Sequence, residues 1–139
     1  MSEANKQLAR RWFEEVWNQK NEAAIDTMYS PECLNHGFPD SDSALQGPEA
    51  FKVVYRNFRG AFPDLHVTVE DVIAEDDRVA IRWSVTMTHL GDHLGFPVTG
   101  KTGKLSGSSF VIIRDGKMVE GWNQMDIMNL YQQLLGPTA

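Results

Sequence analysis

The chain carries a single cysteine, Cys33, so no disulfide can form within it. The usual support of a small secreted domain is therefore missing, a reducing compartment is favoured, and the expected location is cytoplasmic. A long apolar run is also missing. The first residues mix charges with apolar side chains and contain neither a signal-peptide core nor a membrane-spanning stretch. Basic excess is absent as well: 13 Lys and Arg stand against 19 Asp and Glu, a formal net charge of -6. Nucleic acid and anionic membrane surfaces are poor partners for such a chain. The four histidines (His36, His66, His89, His93) are scattered, no second cysteine exists, and no metal-ligand spacing results. The expectation is no metal and no cofactor, with small neutral organic ligands left open.

What is present suits one packed domain over residues 1–139. Hydrophobic residues make up 42% and charged ones 23%, and a chain this long can bury a core without staples. No internal repeat or low-complexity tract interrupts it.

The N-terminal third is helical in period. Leu8, Trp12, Phe13, Val16 and Trp17 recur at spacings of three and four, with Arg10, Arg11, Glu14 and Glu15 on the opposite face. Residues 18–21 break the pattern. Asn21 is placed to cap a short second helix carrying Ile25, Met28 and Tyr29, which Ser30-Pro31 ends. Residues 33–38 read as a short strand or extended turn, and residues 39–46 as a loop. Gly47-Pro48-Glu49 opens a third helix, with Pro48 at its first position and Phe51, Val54, Tyr55, Phe58 and Phe62 as its buried stripe.

Beyond Pro63 the period changes to two. Strands are predicted over 65–74, 78–89, 104–114 and Lys117–Met125, with turns at Glu75-Asp76-Asp77 and Asp115-Gly116. In the second of these strands Val79, Ile81, Trp83, Val85 and Met87 alternate with Arg82, Ser84, Thr86 and Thr88. That is the pattern of a sheet covered on one face. A last helix over 126–135 ends at Gly136-Pro137. Three helices, four long strands and a terminal helix make an α+β fold. Its amphipathic sheet must curl over the helices and leave a cavity for a small ligand.

An ordered series of blocks runs the length of the chain. It begins with Arg11-Trp12-Phe13-Glu14-Glu15-Val16-Trp17-Asn18-Gln19, Leu34-Asn35-His36, Gly47-Pro48-Glu49 and Ala61-Phe62-Pro63-Asp64-Leu65. It continues with Val67-Thr68-Val69-Glu70-Asp71, Asp77-Arg78-Val79-Ala80, Thr88-His89-Leu90-Gly91 and Gly95-Phe96-Pro97-Val98-Thr99-Gly100. Asp115-Gly116-Lys117 and Glu120-Gly121-Trp122-Asn123-Gln124-Met125-Asp126 complete it. In order and spacing it resembles the SnoaL-like polyketide cyclases and their ester cyclase relatives, of the nuclear-transport-factor-2-like superfamily. The resemblance implies a helix-lined cone closed by a curved antiparallel sheet, and a homodimer paired through the sheet face. It also implies a cofactor-free enzyme that closes a carbon ring by aldol chemistry, or isomerises a small apolar or aromatic carbonyl compound. A buried aspartate shuttles protons in such cyclases, and the Trp-x-x-x-Asp block assigns that part to Asp126.

A carboxylate becomes a useful base when an apolar pocket raises its pKa, and Trp122 is a candidate wall of such a pocket. Asp126 also stands where the last helix begins and is an equally good N-cap; backbone N–H groups around it would lower its pKa and oppose base catalysis. Two registers of the last hairpin are open. A three-residue loop at Arg114-Asp115-Gly116 pairs Phe110 with Glu120 and Ser108 with Trp122; a two-residue turn puts Ser109 beside Trp122. The first is favoured, because it gathers Ser106, Ser108, Phe110, Trp122, Gln124 and Asp126 on one face as a pocket would.

His89 shares a strand face with Trp83, Val85 and Met87. It is a candidate donor to a substrate carbonyl, or a strand-end histidine satisfied by backbone. Trp83, Trp122, Phe110, Ser108 and Gln124 are candidate substrate contacts. Alternation allows only one of Asn35 and His36 to point inward, and each matches a polar position of the family. His66 and His93 read as surface. Two further functions remain: a non-catalytic ligand-binding protein of the same fold, and an epoxide hydrolase. The latter needs two aspartates bridged by an arginine, and Arg82 is predicted on the polar face with no second inward aspartate.

Overall fold

A computed structural model describes residues 2–38 and 44–136. Helix α1 (Ser2–Arg11) runs straight into a π-helical segment, Trp12–Asn18. The wider π turn (Gln19 N–H donates to the Glu14 carbonyl at 2.8 Å) brings residues four and five apart onto one face. Trp12, Phe13 and Trp17 all reach the interior in this way, from a stretch whose apolar spacing predicts an ordinary helix. Asn18 locks the segment to the sheet, its amide exchanging bonds of 2.9 and 2.7 Å with the backbone of Val67.

The second helix, α2, is only Ala23–Met28. The Asn21 carbonyl, not its side chain, takes up the Ala24 N–H. Tyr29, expected on this helix, is the first residue of strand β1 (Tyr29–His36). The chain after Gly37-Phe38 lies outside the described residues up to 43, so the expected loop over 39–46 is seen only at its end. There Leu45–Gln46 is a short strand, β2, antiparallel to β1. Helix α3 (Gly47–Ala61) starts with Pro48 in its first turn and buries Phe51, Tyr55 and Phe58.

Strands β3 (His66–Glu75), β4 (Arg78–Thr88), β5 (Thr102–Arg114) and β6 (Lys117–Met125) form the expected antiparallel meander, and α4 (Ile127–Leu135) follows. The sheet has six strands in the order β2-β1-β6-β5-β4-β3: the four long ones expected, β1, which covers most of the short strand or turn read over 33–38, and β2. The last two come from the N-terminal third: β1 lies parallel to β6, pairing Asn35 with Gly121 and His36 with Trp122. Helix α1 and the π segment pack on β3 and β4, α3 on β1 and α4 on β5. One face of the curved sheet is thereby lined with helices, as the α+β cone requires. The core between them includes Val16, Ile25, Met28, Phe51, Phe62, Ile81, Met87, Ile113 and Leu130.

The β5–β6 hairpin follows neither register considered from sequence. Asp115 and Gly116 both have positive φ (52° and 74°), which makes a two-residue turn with Arg114 opposite Lys117. Two residues on, a bulge intervenes: Ile113 faces Met118, but Ile112 faces Glu120. Val119 is the extra residue, and every later residue of β6 changes face. Phe110 therefore pairs with Trp122, Ser108 with Gln124 and Ser109 with Asn123.

Candidate functional site

A cavity lies between the helices and the inner sheet face, with about 90 Å³ of room for the centre of a water molecule. Its walls are almost wholly apolar. Ala9, Trp12, Phe13 and Trp17 come from the N-terminal helix, Phe51 and Phe58 from α3, and Ile81, Trp83, Val85 and Met87 from β4. The polar side chains facing it are few: Tyr29, Cys33, Asn35, Ser109, Asn123 and the indole N–H of Trp83. Among the described residues no Asp, Glu, Lys, Arg or His lines it.

Four of these groups form one hydrogen-bonded row. The Trp83 indole N–H donates to the Ser109 hydroxyl at 3.0 Å, and Ser109 donates to Asn123 Oδ1 at 2.7 Å. Asn123 Nδ2 donates to Asn35 Oδ1 at 2.6 Å and to the His36 carbonyl at 2.9 Å. Groups with no choice of role fix the direction. An indole can only donate and a carbonyl can only accept, so Ser109 must pass its proton on and Asn123 must turn its NH2 toward β1. Asn35 then presents its oxygen to Asn123 and keeps its own NH2 as the free end of the row.

Two glycines leave room for this arrangement. A Cβ on Gly107 would stand 2.6 Å from the Trp83 ring, which lies across β5 to reach Ser109. A Cβ on Gly121 would stand 3.0 Å from Asn35 Oδ1. The ionisable groups in the cavity are held neutral by their surroundings. Burial pushes the Cys33 thiol up to about 11. Burial, with Cys33 adding to it, also raises the Tyr29 phenol, and the nearby Asn35 side chain offsets part of that rise.

Of the residues singled out from sequence, Trp83 and Asn35 line this cavity. His36 points the other way, so the alternation argument resolves in favour of Asn35. Ser108, Phe110, Trp122, Gln124 and Asp126 do share one face, as expected, but it is the outer one. The bulge at Val119 and the parity of β5 put Ser109 and Asn123 inward in their place. Phe110 is 60% exposed and Trp122 is 38% exposed. Trp122 stacks on His36 at 5.4 Å, and His36 Nε2 meets Glu120 Oε2 at 2.8 Å.

Asp126 caps α4. It accepts the Asn129 N–H at 3.2 Å and lines a second pocket, on the outer face, with Ser84, Thr86, Lys104 and Ser106. His89 is fully buried but is not among the residues lining the cavity; its ring packs on Phe62 and Phe96 and its Nδ1 accepts the Thr99 N–H at 3.1 Å. Arg82 is exposed on the outer face, so no arginine-bridged aspartate pair forms in the cavity. His66 and His93 are at the surface. Among the described residues no cluster could hold a metal ion, and no helix is long and apolar enough to cross a membrane.

Asn123 escaped the sequence reading, and Ser109 entered it only in the register that was not favoured. The available signal was the parity of β5: Leu105 and Ile113 are apolar where Lys104 and Arg114 are not, so Ser109 belongs to the inward set. Nothing comparable marks Asn123, because the bulge that turns it inward has no signature in the residues around Val119.

The comparisons agree with this architecture. The chain is 28% identical over 134 residues to the aklanonic acid methyl ester cyclase DnrD of Streptomyces peucetius, covering 94% of this chain and 90% of that protein. It is 30% identical over 134 residues to the aklanonic acid methyl ester cyclase DauD of Streptomyces sp. (strain C5), covering 94% and 81%. A SnoaL-like structure from Jannaschia sp. CCS1 superposes with a TM-score of 0.88 at 22% identity, covering 99% of this chain and 95% of that one, which speaks for the fold. The sequence model of the SnoaL-like polyketide cyclases matches residues 7–134, and the chain belongs to that family.

Proposed function

We propose that this protein binds a small, mostly apolar carbonyl compound in the cavity and promotes its ring closure with neutral hydrogen-bond donors instead of a carboxylate base. The observation that carries this reading is the one-way row from Trp83 to Asn35, which ends in an unspent amide NH2 inside an apolar, uncharged cavity. Such a donor is complementary to a carbonyl oxygen and to the partial negative charge that oxygen gains as a carbon–carbon bond forms. Each donor in the row strengthens the next, so the Asn35 amide is a better donor than an isolated one.

With no base among the described lining residues, the nucleophilic carbon has to be acidic on its own account. A β-diketone meets that need because it is already enolised. The enol carbon attacks a second carbonyl in the same molecule, the enol proton is released, and the new alkoxide oxygen takes up a proton. Loss of water then completes the ring. The protein's part is to hold the chain folded and to polarise the electrophilic carbonyl.

The test is a linear triketone carrying a β-diketone and a ketone three methylenes apart, which closes to a six-membered ring with loss of water. Ring closure above the buffer rate is expected, reduced to the buffer rate by Asn35→Leu and unaffected by Asp126→Ala. No rate above buffer, or a loss of rate in a folded Asp126→Ala variant, would overturn the reading; the second result would favour the Asp126 acid/base mechanism. A protein that binds the triketone and never closes it is a binding module of the same fold.

The outer sheet face suggests a second copy of the chain as partner. Ile73, Phe110 and Trp122 stand exposed there in one cross-strand row, among polar side chains. A homodimer through this face is expected to sediment as a monomer once Phe110→Glu is introduced; an unchanged sedimentation coefficient would exclude it.

A further inference from the structure

The most unusual polar atom in the cavity is one that the row from Trp83 to Asn35 does not use. Tyr29 is 1% exposed, and its hydroxyl has no hydrogen-bond partner among the described residues. A buried hydroxyl without a partner destabilises a fold, so its retention calls for an explanation outside the fold itself. The ring cannot turn away. It is stacked between Trp12 at 5.6 Å and Phe51 at 5.3 Å, and it begins the strand that also carries Cys33 and Asn35. All three residues line the cavity. Asn35 stands close enough to act on the phenol, yet outside hydrogen-bond geometry. Tyr29 and Asn35 thus line the same cavity from one strand, and the buried Tyr29 hydroxyl, set beside the Asn35 amide and the Cys33 thiol, forms no hydrogen bond of full geometry with either.

We infer that Tyr29 and Asn35 form a two-donor clasp for a single ligand oxygen, so that the cavity selects a ketone or enol oxygen with both lone pairs free. The inference rests on the cavity being the ligand site, and adds which atoms of ligand and protein meet there. A carbonyl oxygen accepts two hydrogen bonds at wide angles, which matches two donors on neighbouring parts of β1. A hydrocarbon leaves both donors unpaired, as does a ligand that presents only donors. The preference for a carbonyl therefore comes from rejection as much as from attraction.

The test uses acetophenone and α-methylstyrene, which have the same shape and differ only by O against CH2. Both titrate into the wild-type protein and into Tyr29→Phe, followed by calorimetry, with the carbonyl stretch of bound acetophenone read by infrared difference spectroscopy. Wild type is expected to prefer acetophenone. Tyr29→Phe should cut that preference about three- to tenfold, the worth of one hydrogen bond, leave α-methylstyrene binding within about twofold, and move the carbonyl stretch back toward its free value. The melting temperature of Tyr29→Phe should equal or exceed that of wild type, because an unsatisfied hydroxyl has been removed. An unchanged ratio between the two ligands overturns the clasp while leaving the cavity reading in place. So does a clear drop in melting temperature, which would make the hydroxyl a structural group. Failure of either ligand to bind wild type overturns the cavity reading and the clasp together.

Discussion

Asn123 Nδ2 donates to Asn35 Oδ1 at 2.6 Å, across the parallel junction of β6 and β1. This contact joins the last strand of the meander to the first strand of the chain, and it aims the Asn35 amide into the cavity. Removing or reversing it is the sharpest test of the site.

Asn123→Asp places a carboxylate against an oxygen, in apolar surroundings that raise its pKa. Its folded value then lies above its unfolded one, near about 3.9, so the native state binds the proton more tightly. The variant should be most stable in acid and lose stability as pH rises through that window toward its folded pKa, by about 2 kcal/mol or more at neutral pH. Urea denaturation at several pH values reads this directly; a variant whose stability does not fall with pH would contradict the inward position of Asn123.

Gly107→Ala puts a methyl group 2.5 Å from the backbone carbonyl oxygen of Gln124 on β6 and 2.6 Å from the Trp83 ring. The ring must shift, and its bond to Ser109 lengthens or breaks. A loss of about 1–3 kcal/mol is expected, along with a changed near-ultraviolet circular dichroism spectrum. A silent substitution would mean that neither the β6 backbone nor the Trp83 ring crowds Gly107.

Asp126 is expected to behave as a cap. Asp126→Ala should cost about 0.5–2 kcal/mol of stability, Asp126→Asn much less, since asparagine caps nearly as well. Neither should alter acetophenone affinity. A tenfold loss of affinity in the asparagine variant would return Asp126 to the ligand site.

Asp64 binds the end of β4, accepting from the Thr88 N–H at 2.7 Å and from the Thr88 hydroxyl at 2.6 Å. Burial alone would raise this carboxyl. The two Thr88 donors, with Arg59 nearby, outweigh burial and hold it below the ordinary carboxylate value. A lowered folded pKa contributes stability above the unfolded value, and that stability is lost as pH falls through the folded one. Melting curves from about pH 7 down to about pH 3 should therefore fall less steeply for Asp64→Asn than for wild type, and the variant should start lower. Parallel curves would rule out this bond as a source of acid sensitivity.

Much of this protein is legible one residue at a time. The two-residue period of β4 sorts Trp83 inward and Arg82 outward, and the same period puts Asn35 and His36 on opposite faces. Pro48 after a glycine marks the start of α3, and Asp115-Gly116 marks the hairpin. These are local matters, settled by backbone preference and by which side chains tolerate water. The family blocks added the cone and the cyclase kinship.

Other features depend on contacts between distant parts of the chain. The pairing of β1 with β6 joins residues more than eighty positions apart, and no local period announces it. The bulge at Val119 is a single residue of slip, yet it exchanges Trp122 and Asp126 for Asn123 on the inner face. A strand tolerates either parity by itself. What decides is which choice lets Met118 fill the core at one end while Asn123 meets Ser109, Asn35 and the His36 carbonyl at the other. Local pattern settles the α+β class and the amphipathic strands, and leaves Asp126 open between base and cap until its carboxylate is seen to accept the Asn129 N–H. The identity of the polar groups inside the cone was decided only when the strands met, because a buried polar side chain is tolerated only where its partners already stand.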